Sequence, residues 1–319
     1  MRSPHCANDN QRLPGTSRTK ATLGAEAKHG GRPADGGQAL RAGSFYGAIQ
    51  GKQELCDAIF TDLSHHSPRK LPSHSHELPF FGLVMDGQYG ERYGRQQTFF
   101  SPFTIMFRPE GIPHQDEIGP KGVKFFEIEV RPSWRKRLED CSGTLDRACE
   151  DRAGGQVLWL GMKLYRELHS GVADQLATES LLGELLACVA CMPSERTGER
   201  PPWFDRVLDQ IGAEYTERLT LDQLSGEAGV HPVHLSRVFR RWMGQGIGEY
   251  VHRLRIRAAC EQMLQSETPI AEIGLAAGFA DQSHFTRSFR RVTGTSPARF
   301  RDLFARQTRS LHSGLQLAS

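Results

Sequence analysis

The C-terminal third of the chain says nearly the same thing twice, about 50 positions apart. Gly229-Val230-His231-Pro232-Val233-His234-Leu235-Ser236-Arg237-Val238-Phe239-Arg240-Arg241 returns as Gly278-Phe279-Ala280-Asp281-Gln282-Ser283-His284-Phe285-Thr286-Arg287-Ser288-Phe289-Arg290-Arg291. From the histidine onward the offset is constant, His234 matching His284, Arg237 matching Arg287, Phe239 matching Phe289 and Gly244 matching Gly294. A repeat of this size points to a duplicated supersecondary unit. Each copy reads as helix, tight turn, helix. Leu221, Leu224 and Ala228 share one helical face, Gly229 supplies the left-handed stop, and Pro232 suits the first turn of a second helix. Leu235, Val238 and Phe239 then pack back. In the second copy Ile270, Ile273 and Ala277 precede Gly278, and Phe285 and Phe289 follow it.

Net charge over the 319 residues is only +3, which says nothing about nucleic acid. The distribution says more. Between His231 and Arg257 there are six arginines against one acid, and between His284 and Arg309 seven against one. Local asymmetry of this kind, repeated at the same place in both copies, is the electrostatic footprint of phosphate binding. A solvated face of loosely paired charge is the bland alternative.

These residues resemble the AraC/XylS family of bacterial transcription regulators. The resemblance covers about Trp203 to Phe304 and rests on Ile270-Ala271-Glu272-Ile273, Ala277-Gly278-Phe279, the run Gln282 to Arg291, Gly294, Ser296-Pro297 and Arg301. It implies two helix-turn-helix subdomains joined by a long helix, about Gly248 to Gln265, with both recognition helices in successive major grooves, ~34 Å apart. Carried over by position, Val233, Ser236 and Arg237 face bases from the first recognition helix, and Gln282, Ser283, His284 and Arg287 from the second. Arginine grips guanine with two hydrogen bonds and glutamine suits adenine. Arg240, Arg241, Arg290 and Arg291 hold phosphates, which sets register without reading sequence. Three departures stand out. His231 sits where the family has a Ser cap, and Gly226 and Gly274 lie inside first helices, each at a cost of ~0.5–1 kcal/mol relative to Ala. His234 and His284 read as packing or phosphate-contact residues rather than ligands.

Upstream, about Leu71 to Val130, short apolar runs alternate with turn signals. Phe80 to Met85 runs into Asp86-Gly87, a hairpin signal, with Gln88 to Tyr93 returning. Gly94-Arg95 turns again, Thr104 to Phe107 is a further strand, and Lys124 to Val130 puts Phe126, Ile128 and Val130 on one face. Such spacing suggests a small barrel or sandwich, and resembles the cupin-type effector domain of the same family. His74-Ser75-His76 and Pro109-Glu110-Gly111-Ile112-Pro113-His114 are similar to the two cupin motifs, which in cupin enzymes supply three histidines to a metal. On a strand His74 and His76 face the same way and converge with His114 on one divalent ion, Zn, Mn, Fe, Ni or Cu. The glutamate of that pattern is missing, since Phe80 and Phe81 take its place. Three readings of the pocket stay open: a metal ion, a small-molecule effector without metal, or no ligand.

About Gly155 to Met192 the spacing is helical again. Leu158, Met162, Tyr165 and Leu168/His169 form one stripe, and Leu181, Leu182, Leu185, Leu186 and Val189 another. Either they cap the barrel internally or, as the family resemblance implies, they pair two subunits in a homodimer. Pro193 to Pro202 has linker composition. The first ~44 residues lack apolar periodicity, so disorder is expected there. No secretory signal and no membrane span are evident, which places the chain in the cytoplasm, on the nucleoid. Cys6, Cys56, Cys141, Cys149, Cys188, Cys191 and Cys260 suggest reduced thiols, with Cys188 and Cys191 as small core residues.

The expected class is α+β: a disordered extension (1–44), a cupin-like effector-sensing barrel (45–135), a helical connector for dimerisation (136–192), a linker (193–202), an all-α tandem helix-turn-helix domain (203–308) and a tail (309–319). Function is expected to be sequence-specific regulation of transcription on double-stranded DNA, controlled by a small-molecule effector. Activation, with RNA polymerase as a partner, is the family's commoner habit. The competing reading is a metal-dependent cupin enzyme tethered to a DNA-binding domain. The missing glutamate and the lack of another conspicuous acid–base pair favour sensing over catalysis, so no enzyme is expected.

Overall fold

The computed structural model describes residues 37–94, 96–139, 145–151, 154–190 and 201–304. The disorder expected of 1–36, the linker expected over 193–202 as far as residue 200, the tail, and Cys6, Cys141 and Cys191 lie outside those residues.

A mixed sheet of ten strands builds the N-terminal half, with β1 (Gln38–Leu40), β2 (Ala48–Leu55), β3 (Ala58–His65), β4 (Arg69–Lys70), β5 (His74–His76), β6 (Phe80–Tyr93), β7 (Gln96–Phe100), β8 (Thr104–Arg108), β9 (His114–Val130) and β10 (Cys149–Asp151). The 17-residue β9 is its spine, pairing antiparallel with β3, β4, β5 and β6. The sheet path runs β1-β5-β9-β6-β8-β10 and its two ends do not pair, so the architecture is a half-barrel. Alternation sorts the faces. Phe81 and Leu83 of β6 and Phe126 and Ile128 of β9 join the core under the helices. Val84, Tyr89, Val123 and Phe125 line the concave side.

Four details correct the sequence reading. Asp86-Gly87 is not a hairpin turn. β6 is one continuous strand on β9, with register shifts between Val84 and Asp86 and between Gly87 and Tyr89. Gly87 has φ +86° and a Cβ there would lie 2.1 Å from the Gly122 carbonyl oxygen. Left-handed glycine serves a bulge as well as a tight turn, and the long partner strand decides which. Residues 37–44, expected to be disordered, contain β1, which pairs parallel with β5 at Gln38↔His74. A three-residue strand is too short to show a period. The segment 136–192, expected to be helical, contains β10, which extends the sheet by pairing with β8. Pro202, given to the linker, opens a helix.

Helices α1 (Pro132–Glu139), α2 (Gln156–His169) and α3 (Gln175–Ala190) pack on the convex side. Leu158, Met162, Tyr165, Leu168, Leu182, Leu185, Leu186 and Val189 are all buried within the chain. The internal reading of both stripes therefore describes this fold. No helix among the described residues is long and apolar enough to cross a membrane.

The C-terminal part is α4 (Pro202–Glu214), α5 (Leu221–Ala228), α6 (Pro232–Met243), α7 (Ile247–Gln265), α8 (Ile270–Ala276) and α9 (Gln282–Thr293), with residues 297–304 also helical. Its duplication is visible in backbone detail. Gly229 and Gly278 make the turns at φ +69° and +86°, and Gly244 and Gly294 end the two second helices at φ +70° and +73°. The two copies are not equivalent in packing. Phe204, Leu224, Leu235, Phe239 and Tyr250 form a core private to the first unit. Ile273, Phe279, Phe285 and Phe289 of the second unit belong to the same continuous core as the sheet and α2. Phe300 and Phe304 cement this junction, Phe300 lying 6.0 Å from Phe103 and Phe304 stacking on Tyr165 at 5.0 Å. Fully burying a phenylalanine contributes ~1.5–3 kcal/mol.

Candidate DNA interface and barrel histidine cluster

In the first unit, α5 starts with a capping box between Thr220 and Gln223. His231 replaces the expected Ser cap of α6 and does the same work, its Nδ1 accepting from the Val233 amide at 3.3 Å. In the second, Asp281 accepts from the His284 amide at 2.7 Å and caps α9. Apolar faces turn inward, which leaves Val233, Ser236 and Arg237 exposed on α6 and Gln282, Ser283 and Arg287 exposed on α9. Arg240 and Arg241, and Arg290 and Arg291, are exposed too. His284 differs from the other expected base readers. It is half-buried, 5.4 Å from Phe279 and 6.4 Å from His252 in α7. Arg291, though exposed, reaches back toward α7, its Nη2 lying 3.3 Å from His252 Nε2. His234 is exposed, its ring edge-on to Trp203.

The glycines inside the first helices have different reasons. A Cβ on Gly274 would meet the Phe285 ring at 2.8 Å, so glycine there lets α9 close on α8. Around Gly226 there is nothing within 4 Å, and the structure gives no reason for glycine.

A family of helix-turn-helix domains matches residues 224–303. The transcriptional activator AarP of Providencia stuartii is 34% identical over 98 residues, which are 31% of this chain and 73% of that protein. The chain belongs to the AraC/XylS family. The bifunctional transcriptional activator/DNA repair enzyme AdaA of Bacillus subtilis is 30% identical over 125 residues, 39% of this chain and 59% of that one. This AraC/XylS member thus spans less than two thirds of AdaA. A solved AraC-type regulator from Chromobacterium violaceum, 28% identical, covers 33% of this chain and 93% of its own, with a TM-score of 0.31.

The half-barrel of this AraC/XylS member brings the three expected histidines together. His74 and His114 are register partners across β5 and β9. Ring centroids lie 4.3 Å apart for His74 and His114, 5.2 Å for His74 and His76, and 5.3 Å for His76 and His114, and all three rings are buried. Backbone carbonyls set two tautomers. Nδ1 of His74 donates to Pro72 O at 3.0 Å and Nδ1 of His114 to Ile112 O at 3.2 Å, which leaves both Nε2 lone pairs free. His76 Nδ1 has no hydrogen-bond partner among the described residues. Burial holds His74 and His76 below the usual imidazole pKa, the latter well below, so both are neutral.

Asp116 was not legible as a member of this cluster. It lies two residues after His114 on β9, hence on the same face. Its Oδ2 is 3.6 Å from His74 Nε2 and its Oδ1 4.0 Å from His114 Nε2, while Tyr89 donates to Oδ1 at 2.7 Å. The His114-x-Asp116 spacing was the available signal. Phe80, in place of the cupin glutamate, packs on His76 at 4.4 Å. Glu127, on the same wall, is pushed well above the carboxylate range by burial and by Glu129, Asp116 and Glu91. Nearby on the sheet, Arg108 pairs with Glu91 and, at 3.0 Å, with Glu150. Phe45 and Tyr46 cover the mouth, 5.0 Å from His76 and His74 respectively. The cavity left inside is about 30 Å³.

The imidazoles of His74, His76 and His114, one of them with an orphaned ring nitrogen, fit a divalent transition-metal ion, and the Asp116 carboxylate stands beside two of them. When bound, such an ion supplies a fixed charge that cross-links β5 to β9. His74, His76, His114 and Asp116 are the residues to hold it.

Proposed function

We propose that this protein is a sequence-specific regulator of transcription that reads double-stranded DNA with α6 and α9 and is controlled through its N-terminal half. The observation that carries this reading is the pair of capped, polar, outward-facing helices α6 and α9 built on a repeated scaffold. Val233, Ser236, Arg237, Gln282, Ser283 and Arg287 read bases, with His284 at the edge of that face. Arg240, Arg241, Arg290 and Arg291 hold backbone phosphates. A transcriptional activator among its relatives supports activation as the outcome, with RNA polymerase as the partner then contacted and the cytoplasm as the place of action.

The barrel cluster is assigned a divalent metal held by His74, His76, His114 and Asp116, with a structural or sensing role. The catalytic alternative is disfavoured because a cavity of about 30 Å³ has space for an ion or a water and none for an organic substrate. A homodimer belongs to the reading as well. With both helical stripes spent internally, exposed Val172, between α2 and α3, and exposed Leu176, on α3, offer apolar surface for it, and sedimentation at micromolar concentration tests it.

The deciding experiment is selection of binding sites from a random duplex library with the full-length protein. The expected result is a bipartite motif with blocks about one helical turn apart. Binding that enriches no motif and only fades with salt would overturn sequence-specific reading.

A further inference from the structure

An organic effector needs roughly 300 Å³ or more, and the cavity at the histidine cluster offers only about 30 Å³. A cleft of about 540 Å³ opens elsewhere, between α2 and α3 on one side and α7 and α9 on the other. Part of its lining is apolar, from Trp159 and Leu160 of α2 and Val292 of α9. Its cations are Lys163 of α2, Arg253 of α7 and Arg291 of α9, against two acids, Glu184 and Glu249. Glu249 is taken by Arg253 at 2.6 Å. Lys163 has no ion-pair partner among the described residues, and Arg291 lies against the His252 imidazole. His252 reports the resulting field. Burial first, then Arg291, His284, Arg255 and Arg253, lower its pKa to about 4, so no proton there competes with or adds to the cations at neutral pH.

We propose that this cleft is the effector site and that it takes a small organic anion, its oxyanion group held by Lys163 and Arg291 and its apolar body lying on Trp159, Leu160 and Val292. The proposal rests on the regulatory reading above and deepens it. Arg291 is also assigned to a DNA phosphate, and one guanidinium turned into the cleft does not reach the duplex. Anion binding therefore withdraws a phosphate contact and ties α9 to α2, so the anion weakens DNA binding and DNA weakens anion binding by the same factor.

The test uses the full chain and 8-anilinonaphthalene-1-sulfonate, an organic anion with an apolar body that fluoresces on leaving water. The expected result is saturable binding of one probe per chain, weakened roughly tenfold in Lys163→Glu and less in Lys163→Gln. In the wild type the probe lowers affinity for the selected DNA site roughly fivefold, the lower end of ordinary coupling, and it does so far less in either variant. Lys163 is half-exposed and lies outside the DNA-reading face, so DNA affinity without probe serves as the folding control. Should Lys163→Glu fail that control, Lys163→Gln gives the same reading. Unsaturable binding, equal probe affinity in the wild type and Lys163→Gln, or DNA binding indifferent to the probe each overturns the cleft as effector site. A wild-type chain that selects no DNA sequence overturns the regulatory reading instead, whatever the probe does.

Discussion

The Arg255 guanidinium donates from Nη1 to the carbonyl oxygen of Gly278 at 2.6 Å, across the boundary between the two helix-turn-helix units. The same side chain reaches back to the first unit, Nε to Tyr215 O at 2.6 Å and Nη2 to Glu217 O at 2.7 Å. Gly278 leaves room for that approach, since a Cβ there would lie 2.4 Å from Thr216 O. One residue on the connecting helix thus pins the turn of the second unit against the loop of the first. Arg255→Ala is expected to leave both sequence blocks readable while discrimination against a site lengthened by one base pair falls several-fold, as expected for losing hydrogen bonds from a charged donor. Competition binding with sites of varied spacer length measures it. Arg255→Lys should behave similarly, because an ammonium cannot present the planar fork to three carbonyls.

Arg237 and Arg287 occupy equivalent exposed places on α6 and α9. Replacing either by Ala should cost ~1–3 kcal/mol at a selected site and blur one block each. Arg240→Ala and Arg290→Ala should instead weaken all sequences alike and lower the salt slope by about one. Repeating the site selection and a salt titration separates the two classes, and equal losses on every sequence from Arg237→Ala would turn that residue into a phosphate contact.

The two helix glycines give opposite expectations. Gly226→Ala meets nothing within 4 Å and should stabilise the first unit by ~0.5–1 kcal/mol. Gly274→Ala drives a methyl to 2.8 Å from the Phe285 ring and should destabilise the second by ~1–3 kcal/mol through overpacking. Chemical denaturation of both variants checks the sign as well as the size.

Purified protein should carry one transition-metal ion per chain by elemental analysis. Asp116→Ala and His76→Ala should both lose it, and chelation of the wild type should lower its melting temperature. Metal-free wild-type protein that melts unchanged after reconstitution would remove the assignment.

Glu129 accepts from the Gly43 amide at 2.6 Å, yet burial, its largest influence, raises its pKa to about 7. An acid with a raised folded pKa is neutral at no cost below its unfolded value, near 4.5. Its contribution to stability is then lost as pH rises through about 7. Unfolding free energy should therefore fall between pH 4.5 and 7 by up to ~3 kcal/mol from this group. In Glu129→Gln that segment of the pH profile should flatten.

Parts of this structure announce themselves and parts do not. The tandem units were readable because Gly229, Gly278, Gly244 and Gly294 stop helices by backbone necessity, and because Leu235, Phe239, Phe285 and Phe289 repeat at helical spacing. β6 was misread because Asp86-Gly87 is compatible with both a turn and a bulge, and only the 17-residue partner β9 selects the bulge. The three histidines were readable as motif residues. Asp116 belongs to them through sheet register, and Phe45 and Tyr46 close over them from a segment with no period. The cleft beside Lys163 was invisible for a stronger reason. Its walls come from four helices far apart in the chain, and only their packing creates it.

Burying Phe300 and Phe304 against Phe103 and Tyr165 has a further consequence for how the chain can be divided. The sequence invites a cut before Pro202, as though a reading head could be lifted off and fused to another sensor. Such a cut would leave the first helix-turn-helix with its interior intact but strip the second of half its interior, presenting bare aromatic surface to water. Portability here belongs to one head of the pair, and the other is part of the sensor's own body.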